Sequence, residues 1–117
     1  MRILENQVHL VGNLAAAPII TTLSDGNKLA RFAIATKAYS KSDSGKVESV
    51  KQWHRIVAKG RFASIMEEFA EKGARIAVEG KLCSRFFRTK DGQNRYSTEI
   101  EVDDVVFLGN LDVARSA

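Results

Sequence analysis

Trp53 stands two residues from Arg55 and six from Lys59 in the stretch QWHRIVAKG, and Phe87 stands two from Arg85 in KLCSRFFRTK. Tyr39 follows Lys37 at the same spacing, with Arg31 earlier in the same alternation. Residues two apart in an extended chain point to one face, so each ring shares its face with at least one cation. That pairing suits an unpaired nucleic-acid strand. Rings stack on bases whatever their identity, at about 1–3 kcal/mol per base. Lys and Arg beside them neutralise phosphates and release counterions. Phe86 alternates with Phe87 and therefore faces the other way, with Arg88. In series with Leu82 and Ser84, Phe86 is assigned to the core, while Arg88 joins the cations available to phosphate.

Catalytic constellations fare worse. The sequence has no G-x-S-x-G, no P-loop Gly-Lys-Ser/Thr and no H-E-x-x-H. Neither His9 nor His54 has an Asp, Ser or Cys at a diagnostic spacing. Glu99 and Glu101 share a strand face beside Ser97 and Arg95, and read as a solvated charged face rather than an acid–base pair. One cysteine, Cys83, and two distant histidines do not make an ordinary zinc set. The expectation is a binding protein, not an enzyme, with no metal and no cofactor.

The 117 residues fit one compact domain. With 44% hydrophobic and 27% charged residues, the composition is that of a globular chain. No apolar run is long enough to cross a bilayer, and Met1-Arg2-Ile3-Leu4-Glu5 opens no signal-peptide h-region. The single cysteine fits a reducing compartment, so a cytoplasmic, nucleoid-associated protein is expected. The formal net charge of +4 is unevenly spread. Lys28 to Arg61 carries nine Lys/Arg against two acids, and Lys81 to Arg95 five against one. Glu99 to Ala117 reverses the balance, with five acids and one Arg. Two basic blocks brought together by the fold would form a surface for a polyanion.

The elements that must position these residues are mostly strands. Val8 and Leu10 alternate with His9 and Val11 up to a turn-prone Gly12-Asn13. Pro18 breaks the chain before a short extended piece, Ile19 to Leu23. Ser24-Asp25-Gly26-Asn27 is a hairpin signal. Leu29 to Tyr39 is a strand, with Phe32, Ile34 and Thr36 on one face and Arg31, Ala33, Ala35, Lys37 and Tyr39 on the other. A polar loop over Ser40 to Lys46 leads to a long strand, Val47 to Lys59. There Trp53, Arg55, Val57 and Lys59 oppose His54, Ile56 and Ala58. The period then changes: Phe62, Ile65, Met66 and Phe69 stand at i, i+3, i+4 and i+7, an amphipathic helix whose stripe packs on the core. Gly73 is its expected C′ residue, with Lys72 in the last turn. Strands resume at Ala74, Gly80 suggests a bulge, and Lys81 to Arg88 pairs with Asn94 to Phe107 around Lys90-Asp91-Gly92. Three strands, a helix and two strands predict an all-β fold with one helix. The architecture is a five-stranded barrel of the oligonucleotide/oligosaccharide-binding (OB) type, its helix between strands 3 and 4.

These stretches also carry a resemblance. NQVHLVGNL, ARFAIAT, QWHRIVAKGRFA, KGARIAVEGKLCSR and DGQNRYSTEIEV, in order over about residues 6 to 108, resemble the bacterial and mitochondrial single-stranded DNA-binding protein (SSB) family. The resemblance implies an OB fold, usually a homotetramer, that wraps single-stranded DNA without sequence preference in replication, recombination and repair. The family's Trp-His pair is present as Trp53-His54, which gives Trp53 a stacking role. Its T-R-x-W aromatic is matched by Phe87 in SRFF. A family aromatic near the end of the second strand meets Ser40, so neighbouring Tyr39 replaces it only through a bulge; another, near the end of the third, meets Lys59. His54 resembles a residue at the subunit interface.

The domain is expected over residues 1–108, with a short tail over 109–117. That tail, ending LGNLDVARSA, lacks the Gly/Pro/Gln-rich linker and acidic Phe-terminated tip common in bacterial members. The resemblance is to a tail-less version, and recruitment of repair proteins by that route is not expected. The first strand presents His9 and Val11 outward, a surface for an isologous contact within a tetramer of two dimers. The main competing reading is an OB-fold assembly module of the primosomal replication-restart type, with weak DNA binding; retention of Trp53 and Phe87 argues against it. An RNA-binding cold-shock-type barrel would need aromatics clustered on two neighbouring short strands, a pattern this chain does not have.

Overall fold

The computed structural model describes residues 5–109. Six strands and one helix follow in the order β1 (Val8–Leu14), β2 (Ile19–Thr22), β3 (Lys28–Lys41), β4 (Val47–Lys59), α1 (Arg61–Phe69), β5 (Arg75–Arg88) and β6 (Asn94–Gly109). The hydrogen-bonded order β1-β5-β6-β4-β3-β2 is closed by an extra β1–β3 pairing. Five strands thus form the ring, β2 flanks β3, and the helix falls between the third and fourth ring strands in chain order, as expected. The predicted tail lies, apart from Gly109, outside the described residues. No described helix is long and apolar enough to cross a membrane.

Alternation places one side chain of every two inside. Ile34, Ile56 and Ile76 are fully buried, joined by Leu14, Phe32, Val78, Ile100 and Val102. Each such side chain is worth about 1.5–3 kcal/mol of burial. Two glycines serve the ring where backbones must approach. A Cβ on Gly12 would stand 2.4 Å from the Ala35 carbonyl oxygen, beside the pairs Asn13↔Ala35 and Leu14↔Ile34 that close the barrel. A Cβ on Gly80 would stand 2.2 Å from the Glu101 oxygen, at the register shift between Glu79 and Gly80. The expected bulge is there.

Three boundaries differ most from the sequence reading. β1 continues through Gly12-Asn13 to Leu14, because pairing with β3 captures its last two residues. β3 runs on to Lys41, so the loop is shorter; the Ser42 N–H bonds the Lys46 carbonyl. The helix ends at Phe69, where Ala70 turns extended, so Gly73 is not its C′ residue and Lys72 lies beyond its last turn. Gly73, at φ 89°, sits instead in a turn tied to β1, its N–H bonding the Leu14 carbonyl. The helix buries Ala63 and Met66, with Phe62 half-covered, while Phe69 is exposed and meets Phe107 edge-on at 6.3 Å. The predicted stripe is thus turned toward Ala63, a residue too small to have weighed in the apolar pattern.

β3–β4 and β5–β6 are much longer than the barrel is deep. β4 and β6 run parallel but pair only at Ile56↔Ile100 and Val57↔Glu101. Beyond that point the two hairpins separate as arms. Because β4 and β6 are parallel, both arms leave the same end, opposite the end of β4 that α1 follows. The β5–β6 turn is tightened by the Thr89 hydroxyl, which donates to Asp91 and, with the Gln93 backbone N–H, holds that carboxyl below the usual carboxylate range.

Candidate nucleic-acid interface

The β3–β4 ladder decides which side chains share a surface. Its register runs without a shift from Leu29↔Lys59 to Lys41↔Val47. Directly opposed residues of an antiparallel pair lie on one face. Ala33↔Arg55, Ala35↔Trp53, Lys37↔Lys51 and Tyr39↔Ser49 therefore put Arg31, Lys37, Tyr39, Trp53, Arg55 and Lys59 on a single outer face. No bulge intervenes, so Tyr39 keeps the face of Lys37, which proves to be the face of Trp53 as well. Trp53 is 57% exposed, and Tyr39 is exposed further out. The Lys51 ammonium lies 5.5 Å from the Trp53 ring centroid, a contact worth about 0.5–1 kcal/mol at an exposed site. Lys51 belongs to this surface, and the alternation of Trp53, Arg55 and Lys59 extended one step would have found it.

Across the barrel the same face continues onto β6 and β5 as a groove of about 440 Å³. Its cations are occupied. Glu99 lies between Arg31 (3.7 Å) and Arg85 (3.7 Å), and Glu101 approaches Lys59 at 3.9 Å. Arg55 reaches the Ser97 hydroxyl at 3.4 Å. Glu99 is not a solvated charge, as its neighbours in sequence suggested: its side chain is only 11% exposed, beneath two guanidinium groups. The cause is topological: Arg85 approaches from the adjacent strand β5, and Arg31 on β3 reaches across β4 past the short side chain of Val57. In the same groove the Cys83 thiol donates to Glu101 at 3.5 Å; burial, then that bond, pushes it above the ordinary thiol range.

On the β5–β6 arm, Phe87 pairs with Arg95, and Arg85 with Ser97, on the continuation of the outer face. Arg95, unlike Lys51, needed cross-strand register to be seen. Phe86 pairs with Tyr96 on the opposite face, which Arg88 shares. Phe86 is not core: it is 57% exposed, and its ring meets Tyr96, 76% exposed, at 5.2 Å. Leu82 and Ile100 sit where this face leaves the barrel, and further out none of the described residues closes over it. The predicted cations thus divide, with Arg85 on one face of the arm and Arg88, bonded at 3.4 Å to Asn94, on the other.

His9 and Val11 face outward on β1 and line a shallow hollow with Ala77, Glu79 and Val106. β1 pairs β5 over Val8–Asn13, whereas β3 meets it only at Asn13 and Leu14. The other edge of its first half is thus unused among the described residues. His54 is not brought to that surface. It lies at the root of the β3–β4 arm, half-buried, with Nε2 2.9 Å from the Thr36 hydroxyl. Among the described residues no group of three or more His, Cys, Asp or Glu is placed to hold a metal.

The model of the single-strand binding protein family matches residues 5–108. Single-stranded DNA-binding protein 1 of Xylella fastidiosa is 40% identical over 105 residues, covering 89% of this chain and 77% of that one. The protein of the same name from Chlorobaculum tepidum is 35% identical over 108 residues, covering 92% and 67%. Among solved structures, the Plasmodium falciparum SSB in complex with ssDNA superposes with a TM-score of 0.85 at 29% identity, over 92% of this chain and 98% of that one. A deletion mutant of the single-stranded DNA binding protein from Thermus aquaticus gives a TM-score of 0.82 at 26% identity; the match covers 91% of this chain and 51% of the Thermus chain.

Proposed function

We propose, since the chain belongs to the single-strand binding protein family, that it binds single-stranded DNA without regard to sequence and protects it in replication, recombination and repair. The observation that carries this reading is the single outer face on which β3 and β4 place Lys37, Tyr39, Lys51, Trp53 and Arg55. Trp53, Tyr39 and Phe87 stack on bases. Arg31, Lys37, Arg55, Lys59, Arg85 and Arg88 hold phosphates. None of these contacts reads a Watson–Crick edge, and in a duplex the base faces are already stacked on one another, so single strands are preferred. The protein works by binding, without catalysis and without a cofactor. Its outer-face carboxylates, Glu99 and Glu101, are engaged with Arg31, Arg85 and Lys59. Its place is the cytoplasm, on the nucleoid DNA it coats.

Assembly follows from β1. Its unused edge and the outward Val11, beside Val106, suit pairing with a second copy in an isologous contact, and two such dimers make the tetramer. Titration of Trp53 fluorescence tests the binding. Oligo(dT) quenches strongly and a hairpin duplex weakly; equal affinity for the two overturns the proposal. Solution mass tests the assembly, and a monomer at micromolar concentration counts against it.

A further inference from the structure

Of the face of the β5–β6 arm that carries Phe86, Arg88 and Tyr96, the site just described uses only Arg88; its two rings have no part in the stacking surface, which lies on the opposite face. A pair of exposed rings directly opposed on a hairpin ordinarily holds the two strands together, at about 0.5–1.5 kcal/mol beyond the area it buries. Here the two rings bury little. Their planes are inclined by 58°, so they are not stacked flat on each other, and each leaves a face open to solvent. Arg88 shares that face, and among the described residues neither it nor Lys90 nor Arg95 is ion-paired to an acid. The face is also continuous with the rest of the surface. Where β4 and β6 part, a cleft of about 310 Å³ is lined by Trp53, Arg55, Leu82, Tyr96 and Thr98. Trp53 and Tyr96 stand on its two walls. Cations lead around the tip as well: Arg95 beside Phe87, Lys90 in the turn, then Arg88 beside Phe86.

We infer that Phe86 and Tyr96 form a second base-stacking lane, so that a single strand leaving Trp53 crosses the cleft and is held on both faces of the β5–β6 arm. The inference rests on the reading of the protein as a single-strand binder. It adds that the arm is wrapped, not merely touched on one side. The occupant is single-stranded DNA because the lane offers ring faces with unpaired cations and joins a site of the same chemistry.

The test uses the full chain and oligo(dT). In the double variant Phe86→Val, Tyr96→Val, a β-branched cross-strand pair keeps the hairpin and removes both rings. Affinity for long oligo(dT) falls by roughly five- to 150-fold per lost stack. The number of nucleotides occluded per protomer falls too, with solution mass and circular dichroism unchanged. Tyr96→Phe, which keeps the ring, binds as the parent does. Oligo(dT) carrying 5-bromouracil crosslinks on irradiation to Tyr96 or Phe86 in the unaltered protein, a readout that no folding defect can imitate. Crosslinks confined to Trp53 and Phe87, with full affinity in the double variant, overturn the lane while leaving single-strand binding intact. A double variant whose mass drops also overturns it, because the rings then serve contact between copies. Failure of the parent itself to bind oligo(dT) removes the underlying function instead.

Discussion

Over the barrel, the cations of the outer face lie against acids: Arg31 and Arg85 with Glu99, Lys59 with Glu101. On the arms, among the described residues, Lys37, Lys51, Arg88, Lys90 and Arg95 have no such partner, and the exposed rings Tyr39, Trp53, Phe86, Phe87 and Tyr96 stand beside them. Both regions are basic, yet they meet phosphate differently. An arm cation gains an anionic partner where, among the described residues, it had none. A groove cation must exchange one anion for another, and the carboxylate left behind needs water or a new contact. Exposed ion pairs are worth only about 0–1 kcal/mol, so the exchange is not forbidden. It does make the groove a poorer source of net charge neutralisation. On the proposed reading, the strand is gripped chiefly by the arms, and the barrel holds the arms in place.

The largest effect expected is on the rings. Trp53→Ala and Phe87→Ala each weaken oligo(dT) binding by about 1–3 kcal/mol, and the dependence on salt barely moves because no phosphate contact is lost. A titration at several salt concentrations checks both parts. If Trp53→Ala unfolds the domain, the ring is structural despite its exposure. Next come the arm cations. Lys37→Gln or Arg95→Gln lowers the slope of log affinity against log salt by about 0.7 each, whereas Arg31→Gln or Lys59→Gln lowers it by less. Equal slopes from the two groups would erase the distinction between groove and arm. Smaller and opposite in sign is Glu99→Gln, which keeps the side chain's shape and releases Arg31 and Arg85. Affinity at low salt rises by less than about tenfold and the slope steepens; weaker binding would mean that Glu99 positions the two guanidinium groups instead. The smallest effect concerns Cys83. With its thiol held above the ordinary range by burial and by Glu101, it stays protonated at neutral pH and reacts slowly with iodoacetamide. Oligo(dT) slows it further only if DNA also occupies the groove, which makes the reaction a direct probe of that region.

Much of this was readable from alternation alone. Trp53, Arg55 and Lys59 share a face because β4 is uninterrupted, and Arg31, Lys37 and Tyr39 share theirs for the same reason in β3. That the two faces are one face depends on register, which is set by the length of a loop and by pairing across it, not by either strand's own pattern. Arg95 was obscured in the same way, since it is recognised through Phe87 across from it, whereas Lys51 needed only the β4 alternation carried one step outward. Phe86 shows a different limit. Its alternation with Leu82 and Ser84 was correct, and the inference to the core failed because period-2 patterning marks a face without marking where the strand leaves the barrel. Ile100 lies inside that boundary and Tyr96, four residues away on the same face, lies outside it. Glu99 was misread because its cover comes from Arg31, distant in sequence, which reaches it across β4. The helix was located by its period but not ended by it, since the Gly73 turn answers to Leu14 on another strand.

The pairing between β4 and β6 is only two residues deep, and this gives the molecule a mechanical property. Each arm is a stiff ladder, whereas the joint between them is short. From Ile56 to the start of β4 the chain extends about 30 Å at the ordinary strand rise. A tilt of about ten degrees at the joint therefore moves the tip by roughly 5 Å without breaking a rung of either ladder. The distance between the tips is the soft coordinate of the structure. Like a pair of tongs with a narrow fulcrum, the two ladders are joined across β4 and β6 by two residue pairs and the Arg55–Ser97 bond, so a change of tip distance is resisted by few contacts.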